Sequence, residues 1–209
     1  MKTLYLMRHG QTGFNSQARY CGRTDVPLSA AGEDQARRLR GRMEGVEIDA
    51  AYSSDLARAY RTAGIVCEGR GVRVGADALL RELDFGQWEG LTFEEISARY
   101  GQTFAAWIEN PAGVSPTGGE SLSDLCRRVN RFLEGVLAGP GESIAVVSHS
   151  GPIRALLCGA LGVAPAGFWS LAIEPASLSA VAYHGTRACV HLVNDTCHLV
   201  GAGRSAGGS

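Results

Sequence analysis

Hydrophobic residues along this chain form short runs, and each run is followed by a helical pattern. "TLYLM" (residues 3–7) and "IAVVSH" (residues 144–149) are rich in strand formers and end in polar turns. Because they are apolar at successive positions, they are typical of parallel strands buried on both faces. "DAAYSSD" predicts a weaker third strand, and "SLSAVAYHG" and "ACVHLVND" near the end alternate like a strand pair.

Four segments have helical periodicity. "LSAAGEDQARRLRGRM" has Ser29 as its predicted N-cap, and "SDLARAYRTAGIVCEG" has Ser54 or Asp55 as cap and ends at Gly69. "GPIRALLCGALG" ends at Gly162. "ESLSDLCRRVNRFLEGVL" is amphipathic, with apolar residues at Leu122, Leu125, Val129, Phe132, Leu133 and Val136.

This alternation predicts an α/β fold, in which a mostly parallel central sheet carries helices on both faces. We expect a single domain over residues 1–199. Residues 83–120 are richer in Gly, Pro and aromatics, and they predict short helices and loops that form a small capping insertion. The Gly-rich residues 200–209 predict a disordered tail.

Composition excludes several function classes. The net charge is −1 with no long run of one sign, so nothing supports bulk attraction to nucleic acid or a membrane. Lys2 is the only lysine, which excludes a Schiff-base or pyridoxal enzyme with a core lysine, and no P-loop is present. Residues 1–75 carry a net charge of +4, which suits an anionic ligand that arginine would bind.

Cysteine usage indicates a compartment. The six cysteines form no Cys-x-x-Cys pair, and several lie in apolar helical patterns. With no secretion signal and no run of transmembrane length, we expect a cytoplasmic protein.

Two predicted strands end in histidine. His9 and His149 are each followed closely by glycine, which lets backbone approach a ligand, and the helix after Gly151 offers free N–H groups to an anion. A lone histidine at a strand end is more often structural, but two such ends at the carboxyl edge of a parallel sheet favour a ligand site.

Charged residues elsewhere extend this candidate site. Arg58, in the first turn of a predicted helix, pairs either with Asp55 or, together with Arg8, with an anion. "LLRELDFGQWEGL" offers three carboxylates in a partly apolar stretch, and a carboxyl group in such a setting can act as a general acid. Periodicity does not choose among Glu82, Asp84 and Glu89.

These elements together resemble the histidine phosphatase superfamily, also called the phosphoglycerate mutase-like fold, from residue 4 to about residue 199. "LMRHGQTGFN" is similar to its signature and "VVSHSG" to its second histidine motif. The resemblance implies His9 as nucleophile, Glu82 as proton donor, and a phosphate pocket formed by Arg8, Asn15, Arg58 and a protonated His149. It also implies Gly22, Thr24 and Ser150 as further substrate contacts.

The resemblance implies hydrolysis of a small phosphorylated substrate through a phosphohistidine, with no metal and no cofactor. The segment after Glu82 has Arg99 as its sole basic residue before "GESL", which disfavours a phosphoglycerate mutase. "GRTDVPLS", "ELDFGQWEGLTFEEI" and "HLVNDTCHL" are similar to segments of the α-ribazole phosphatases of cobalamin biosynthesis. Of the possible substrates, this resemblance therefore favours α-ribazole 5′-phosphate.

Several alternatives stay open at this point. They are a broad-specificity phosphatase, a mutase, a phosphoprotein phosphatase and a non-catalytic binding module; the last is disfavoured because both histidines, both arginines and the glutamate are present. A homodimer is compatible with the sequence. For Cys189, His191, Cys197 and His198 a structural role is favoured over a zinc cluster, because the spacing fits no familiar zinc pattern.

Overall fold

A six-stranded sheet forms the centre of the protein in the computed structural model, which describes residues 1–185 and 187–200. Its strand order is β3-β2-β4-β1-β5-β6, in which β3, β2, β4 and β1 are parallel and β5 and β6 are antiparallel. The predicted, mostly parallel α/β sheet is therefore confirmed. The strands are β1 (Lys2–Arg8), β2 (Ala50–Ser53), β3 (Val74–Ala76), β4 (Ser143–Ser148), β5 (Leu178–His184) and β6 (Arg187–Asp195).

Six α-helices accompany the sheet in the described residues. They are α1 (Gly13–Ser16), α2 (Ala30–Arg42), α3 (Ala57–Cys67), α4 (Phe93–Glu109), α5 (Leu122–Ala138) and α6 (Ser150–Leu161). The apolar face predicted for α5 is buried or partly buried along its length, and α6 ends at Gly162 in the left-handed conformation, as expected.

The two central strands are buried on both faces, as their continuous apolar runs predict. Leu4 and Leu6 of β1 lie in a core with α5 and α6, whereas Met7 packs in a second core with Leu39 of α2 and Ala63 of α3. Helices therefore cover both faces. Because successive side chains of a strand point to opposite sides, the short apolar run of β1 packs against the helices on both faces of the sheet.

Strand β1 pairs in parallel with β4, with Arg8 opposite Ser148. The residues that follow, His9 and His149, therefore leave neighbouring strands at the same edge of the sheet. The backbone N–H of His9 continues the pairing by donating to the carbonyl of Ser148 at 3.0 Å. This adjacency joins two motifs that are far apart in sequence.

One local prediction was wrong. Helix α3 has Leu56 as its N-cap residue, with no side-chain cap, because the Asp25 carboxylate accepts from the N–H of Ala57 at 2.7 Å and supplies the missing acceptor from another loop. The middle section contains α4, which the non-helical residue Tyr100 divides into two shorter helices, so the short helices predicted there are confirmed.

The end of the chain contains the predicted strand pair, β5 and β6. The predicted disorder of the tail concerns residues of which all but Val200 lie outside the described part. In the residues that are described, no helix is long and apolar enough to cross a membrane.

Candidate active site

His9 lies at the carboxyl end of β1 with only 3% of its surface exposed. Its Nδ1 is 2.7 Å from the carbonyl oxygen of Gly10, and since a carbonyl only accepts, Nδ1 carries the hydrogen. Burial, with the charges of Arg8 and Arg58, holds the pKa of His9 well below its usual value. His9 is therefore neutral, with its Nε2 lone pair available as a nucleophile.

Arg58 uses all three nitrogens of its guanidinium group to contact His9 and to hold the backbone of a neighbouring loop. Its Nε donates to Nε2 of His9 at 3.3 Å, while its two terminal nitrogens donate to the carbonyls of Thr24 at 2.9 Å and Gly22 at 2.7 Å. Asp55, the alternative partner from the sequence, pairs instead with Arg81 at 2.5 Å. The guanidinium is thus fixed by backbone and directed at the nucleophile.

Arg8 is the second cation of the site. One terminal nitrogen donates to the carbonyl of Ile173 at 2.6 Å, and burial lowers its pKa, partly offset by Glu82. Its Nε is a buried donor without a partner in residues 1–185 and 187–200. An anion beside this side chain would satisfy it, since buried donors are rarely left unpaired.

His149 is fully buried at the end of β4, and its ring centroid lies 5.0 Å from that of His9. Nε2 contacts the Ser54 hydroxyl at 2.9 Å, whereas Nδ1 has no partner among the described residues. Burial and the charge of Arg58 hold the pKa of His149 well below its usual value. Without a bound anion His149 is therefore neutral, because the site is already rich in positive charge, and the expected protonated form beside a phosphate stays a prediction.

The structure separates the three candidate carboxylates. Glu82 lies at the N-terminus of α6, where it accepts from the N–H groups of Leu83 at 2.9 Å and Gly151 at 3.0 Å and from the Ser150 hydroxyl at 3.0 Å. It is the one of the three that lines a cavity shared with Arg8. Asp84 accepts from the N–H of Gly86 at 2.9 Å, which leaves Glu82 as the acid candidate.

Glu89 has a different role, which sequence reasoning missed. Its carboxylate accepts from the N–H groups of Gly22 at 3.0 Å, Arg23 at 2.8 Å and Thr24 at 3.1 Å, and from the Thr24 hydroxyl at 2.7 Å. The same loop offers its carbonyls to Arg58. Glu89 thereby positions the loop that positions Arg58, a long-range relationship with no signal in the sequence.

The remaining predicted contacts are near the site. Asn15 lines the cavity with Arg8, and its Oδ1 accepts from the backbone and hydroxyl of Thr12, which leaves its NH₂ group to donate. Ser150 lines the same cavity. For Gly22 and Thr24 the structure places the carbonyls on Arg58, and their direct contact with substrate stays a prediction.

The cavity at the site has a volume of about 230 Å³. From Arg8 and Glu82 it reaches Arg154, whose guanidinium lies 5.3 Å from the ring centre of Trp169. It shares Tyr20, Phe85 and Trp169 with an aromatic cleft of about 430 Å³ that is also lined by Phe93, Trp107 and Ile108.

The segment "HLVNDTCHL" (residues 191–199) contacts the loop that is hydrogen-bonded to the backbone of His9. Asn194 accepts from the N–H of Glu174 at 2.6 Å, and His198 contacts the carbonyl of Ala176 at 2.9 Å. Ala176 in turn donates to the carbonyl of His9 at 3.0 Å. Within the described residues no group of three or more His, Cys, Asp and Glu side chains is arranged to hold a metal ion.

Comparison with known proteins gives a consistent picture. The profile of the "Histidine phosphatase superfamily (branch 1)" matches residues 4–196. Phosphoserine phosphatase 1 of Hydrogenobacter thermophilus is 37% identical over 200 residues, which are 95% of each chain. The adenosylcobalamin/α-ribazole phosphatase of Escherichia coli K12 is 30% identical over 192 residues, 91% of this chain and 95% of that one.

A solved structure agrees with these relatives. The crystal structure of the α-ribazole phosphatase from Shigella flexneri has a TM-score of 0.85 and 28% identity, and the alignment covers 92% of this chain and 96% of the other. The similarity therefore extends over nearly all of the fold described above.

Proposed function

Because this chain belongs to the histidine phosphatase superfamily and is a phosphoric monoester hydrolase, we propose that it acts through a phosphohistidine at His9 and that its substrate is α-ribazole 5′-phosphate. The observation that carries the reaction is the neutral, buried His9 with a cation on its Nε2. The observation that supports this choice of substrate is the aromatic cleft that shares part of its lining with the same cavity.

In the first step, the lone pair of His9 Nε2 attacks phosphorus in line with the leaving oxygen. The P–N bond forms as the P–O ester bond breaks, and the bond electrons leave on the ester oxygen. The hydrogen bond from Nδ1 to Gly10 holds the ring in the tautomer that presents Nε2. Arg58 Nε, which contacts Nε2 in the free protein, moves its hydrogen bond to a phosphoryl oxygen.

Arg8 and Arg58 neutralise the phosphoryl group. Their fixed guanidinium groups suit the equatorial oxygens, where charge resides in the transition state. The NH₂ group of Asn15 adds a neutral donor. The charge of a phosphate dianion is thereby balanced by side chains, so the proposed reaction requires no metal ion.

Glu82 handles the proton in both steps. Its carboxyl group protonates the leaving oxygen in the first step and then, as carboxylate, takes a proton from water while the water oxygen attacks phosphorus. The P–N bond breaks, inorganic phosphate leaves, and neutral His9 and protonated Glu82 are regenerated. Its place at the N-terminus of α6 orients it between the cavity and Ser150.

The lining of the cavity supports a substrate with a flat apolar ring. Tyr20, Phe85 and Trp169 form a wall that continues into the cleft beyond. Aromatic side chains stack well on a ring such as the benzimidazole of α-ribazole, whereas phosphoserine has no flat apolar group on which they could stack.

Phosphoserine is a second candidate, which one observation favours. The half-buried Arg154 lines the same cavity, and its Nε donates to the carbonyl of Leu171 at 2.7 Å, so that its terminal nitrogens remain to pair with a carboxylate. The 37% identity to a phosphoserine phosphatase agrees with this reading.

Two measurements test the proposal. Rapid quench with a ³²P-labelled ester should give label on His9; label on another residue, or none, would contradict the mechanism. The ratio of kcat/KM values for α-ribazole 5′-phosphate and O-phosphoserine should favour the former by at least roughly tenfold.

Variants of two arginines separate the substrates. Arg154→Met should weaken only the hydrolysis of phosphoserine, while Arg127→Met, at an exposed position of α5, should change neither activity. A preference for phosphoserine that depends on Arg154 would replace the first substrate by the second and leave the phosphohistidine mechanism intact.

A further inference from the structure

Ser54 is a buried polar residue for which the proposed mechanism has no use. It follows β2, its surface is fully buried, and its hydroxyl lies 2.9 Å from Nε2 of His149. The sequence suggested Ser54 as the cap of α3, but that helix begins three residues later, after Leu56. The hydroxyl therefore faces a histidine of the site rather than a helix end.

The hydrogen bonds around this hydroxyl determine where its proton points. Its oxygen accepts from the N–H of Leu56 at 3.3 Å, and the described residues offer the hydroxyl hydrogen no acceptor other than His149. If His149 Nε2 carried a hydrogen, the serine oxygen would accept twice and its own hydrogen would be buried without a partner, which is costly. The satisfied arrangement has Ser54 donating to a bare Nε2.

This arrangement leaves His149 as the neutral tautomer with hydrogen on Nδ1. Both the burial of the ring and the nearby charges of Arg58 and Arg8 oppose a second proton, which is consistent with the lowered pKa of His149. The Nδ1–H of His149 is then a buried donor that has no acceptor in the described part of the chain.

We propose that Ser54 is a positioning residue that fixes the tautomer of His149, so that a neutral Nδ1–H donates to a phosphoryl oxygen beside His9. The proposal rests on the proposed phosphate site. In it, His9 and His149 share one tautomer but present opposite edges to the phosphoryl group: His9 presents a lone pair to phosphorus, and His149 presents a hydrogen to oxygen.

The tautomer itself can be read without any activity. Long-range ¹H–¹⁵N spectra of protein labelled with ¹⁵N-histidine distinguish Nδ1–H from Nε2–H rings. We expect Nδ1–H for both His9 and His149 at pH 7, and in Ser54→Ala a shift of His149 alone toward Nε2–H or a mixture. An Nε2–H ring or an imidazolium at His149 in the unaltered protein would overturn the proposal.

Anion binding and turnover provide a second test. Ser54→Ala should weaken vanadate and inorganic phosphate binding and lower kcat/KM roughly tenfold, the effect of one hydrogen bond to an anion. Ser54→Thr, which keeps the hydroxyl, should restore both. Ser148→Ala removes another buried serine hydroxyl, which bonds to the Leu80 carbonyl, and should leave the His149 tautomer unchanged.

These outcomes separate the two proposals. If phosphate binds and the tautomer changes as described but no phosphohistidine forms, the proposed function fails and the role of Ser54 stands. If Ser54→Ala keeps the Nδ1–H ring and full phosphate affinity, the role of Ser54 fails whatever the substrate.

Discussion

The Nε of Arg58 lies 3.3 Å from Nε2 of His9, so the principal cation of the site contacts the nucleophilic atom itself. The other two nitrogens of the guanidinium are held by the carbonyls of Gly22 and Thr24. All three arms of a planar fork are used, and an ammonium group cannot reproduce that geometry.

Arg58→Lys should therefore reduce kcat/KM by roughly 10²–10³-fold although the charge is kept. The matched control is Arg61→Lys, one turn later on α3, where the side chain is exposed and pairs with Glu33. Steady-state kinetics with p-nitrophenyl phosphate measure both. Near-normal activity of Arg58→Lys would show that charge alone suffices.

Glu89→Gln should act on the same reaction from a distance. Its new NH₂ group would face the N–H donors of the loop at Gly22 and Thr24, which frees Arg58. We expect vanadate affinity and kcat/KM to fall by roughly tenfold or more, equally for esters with good and poor leaving groups. Glu94→Gln, in the first turn of α4, is the control. A selective loss with poor leaving groups would instead make Glu89 the acid.

Glu82→Gln should produce that selective pattern. A glutamine cannot protonate the leaving oxygen, so alkyl phosphates should be slowed by roughly 10²–10⁴-fold and p-nitrophenyl phosphate, whose leaving group needs little protonation, much less. Comparison of kcat for the two esters tests this. The same pattern in Asp84→Asn, rather than in Glu82→Gln, would reassign the acid.

Stability should fall as the medium becomes mildly acidic. The folded protein keeps His9 and His149 neutral with depressed pKa values, whereas the unfolded chain protonates them near the ordinary value of 6.5. Below that pH the unfolded state binds more protons, so each histidine lowers the free energy of unfolding by up to about 1.4 kcal/mol per pH unit. Urea unfolding at pH 7, 6 and 5 measures the slope, which should be smaller in His149→Gln.

Removal of divalent metal should leave the enzyme active. Because Arg8 and Arg58 carry the positive charge of the proposed site, dialysis against EDTA should change kcat/KM of p-nitrophenyl phosphate less than twofold. Loss of activity that zinc or magnesium restores would require a metal in the mechanism.

Much of this architecture was predictable from local patterns. The apolar runs before His9 and His149 predicted buried parallel strands, and the carboxyl-edge rule then brought the two histidines together. The periodicity of α5 likewise predicted its buried face. Such features follow from neighbouring residues and from general rules of sheet topology.

The features that escaped prediction depend on distant partners. Asp25 caps α3 from another loop, and Glu89 holds the loop at Gly22, which lies 67 residues earlier in the chain. Ser54 resembles a helix cap in sequence but turns to His149. The choice of Glu82 among three carboxylates also required α6 to be placed beside it.

The pairing of β1 with β4 has a consequence for the making of the enzyme. Arg8 and His9 are synthesised early, but their neighbour strand spans residues 143–148, and Glu82 finds its donors only at Ser150 and Gly151. A nascent chain on the ribosome therefore has no active site until β4 and the start of α6 have left the exit tunnel. Catalytic competence thus arises late in translation, and its timing follows this long-range strand pairing.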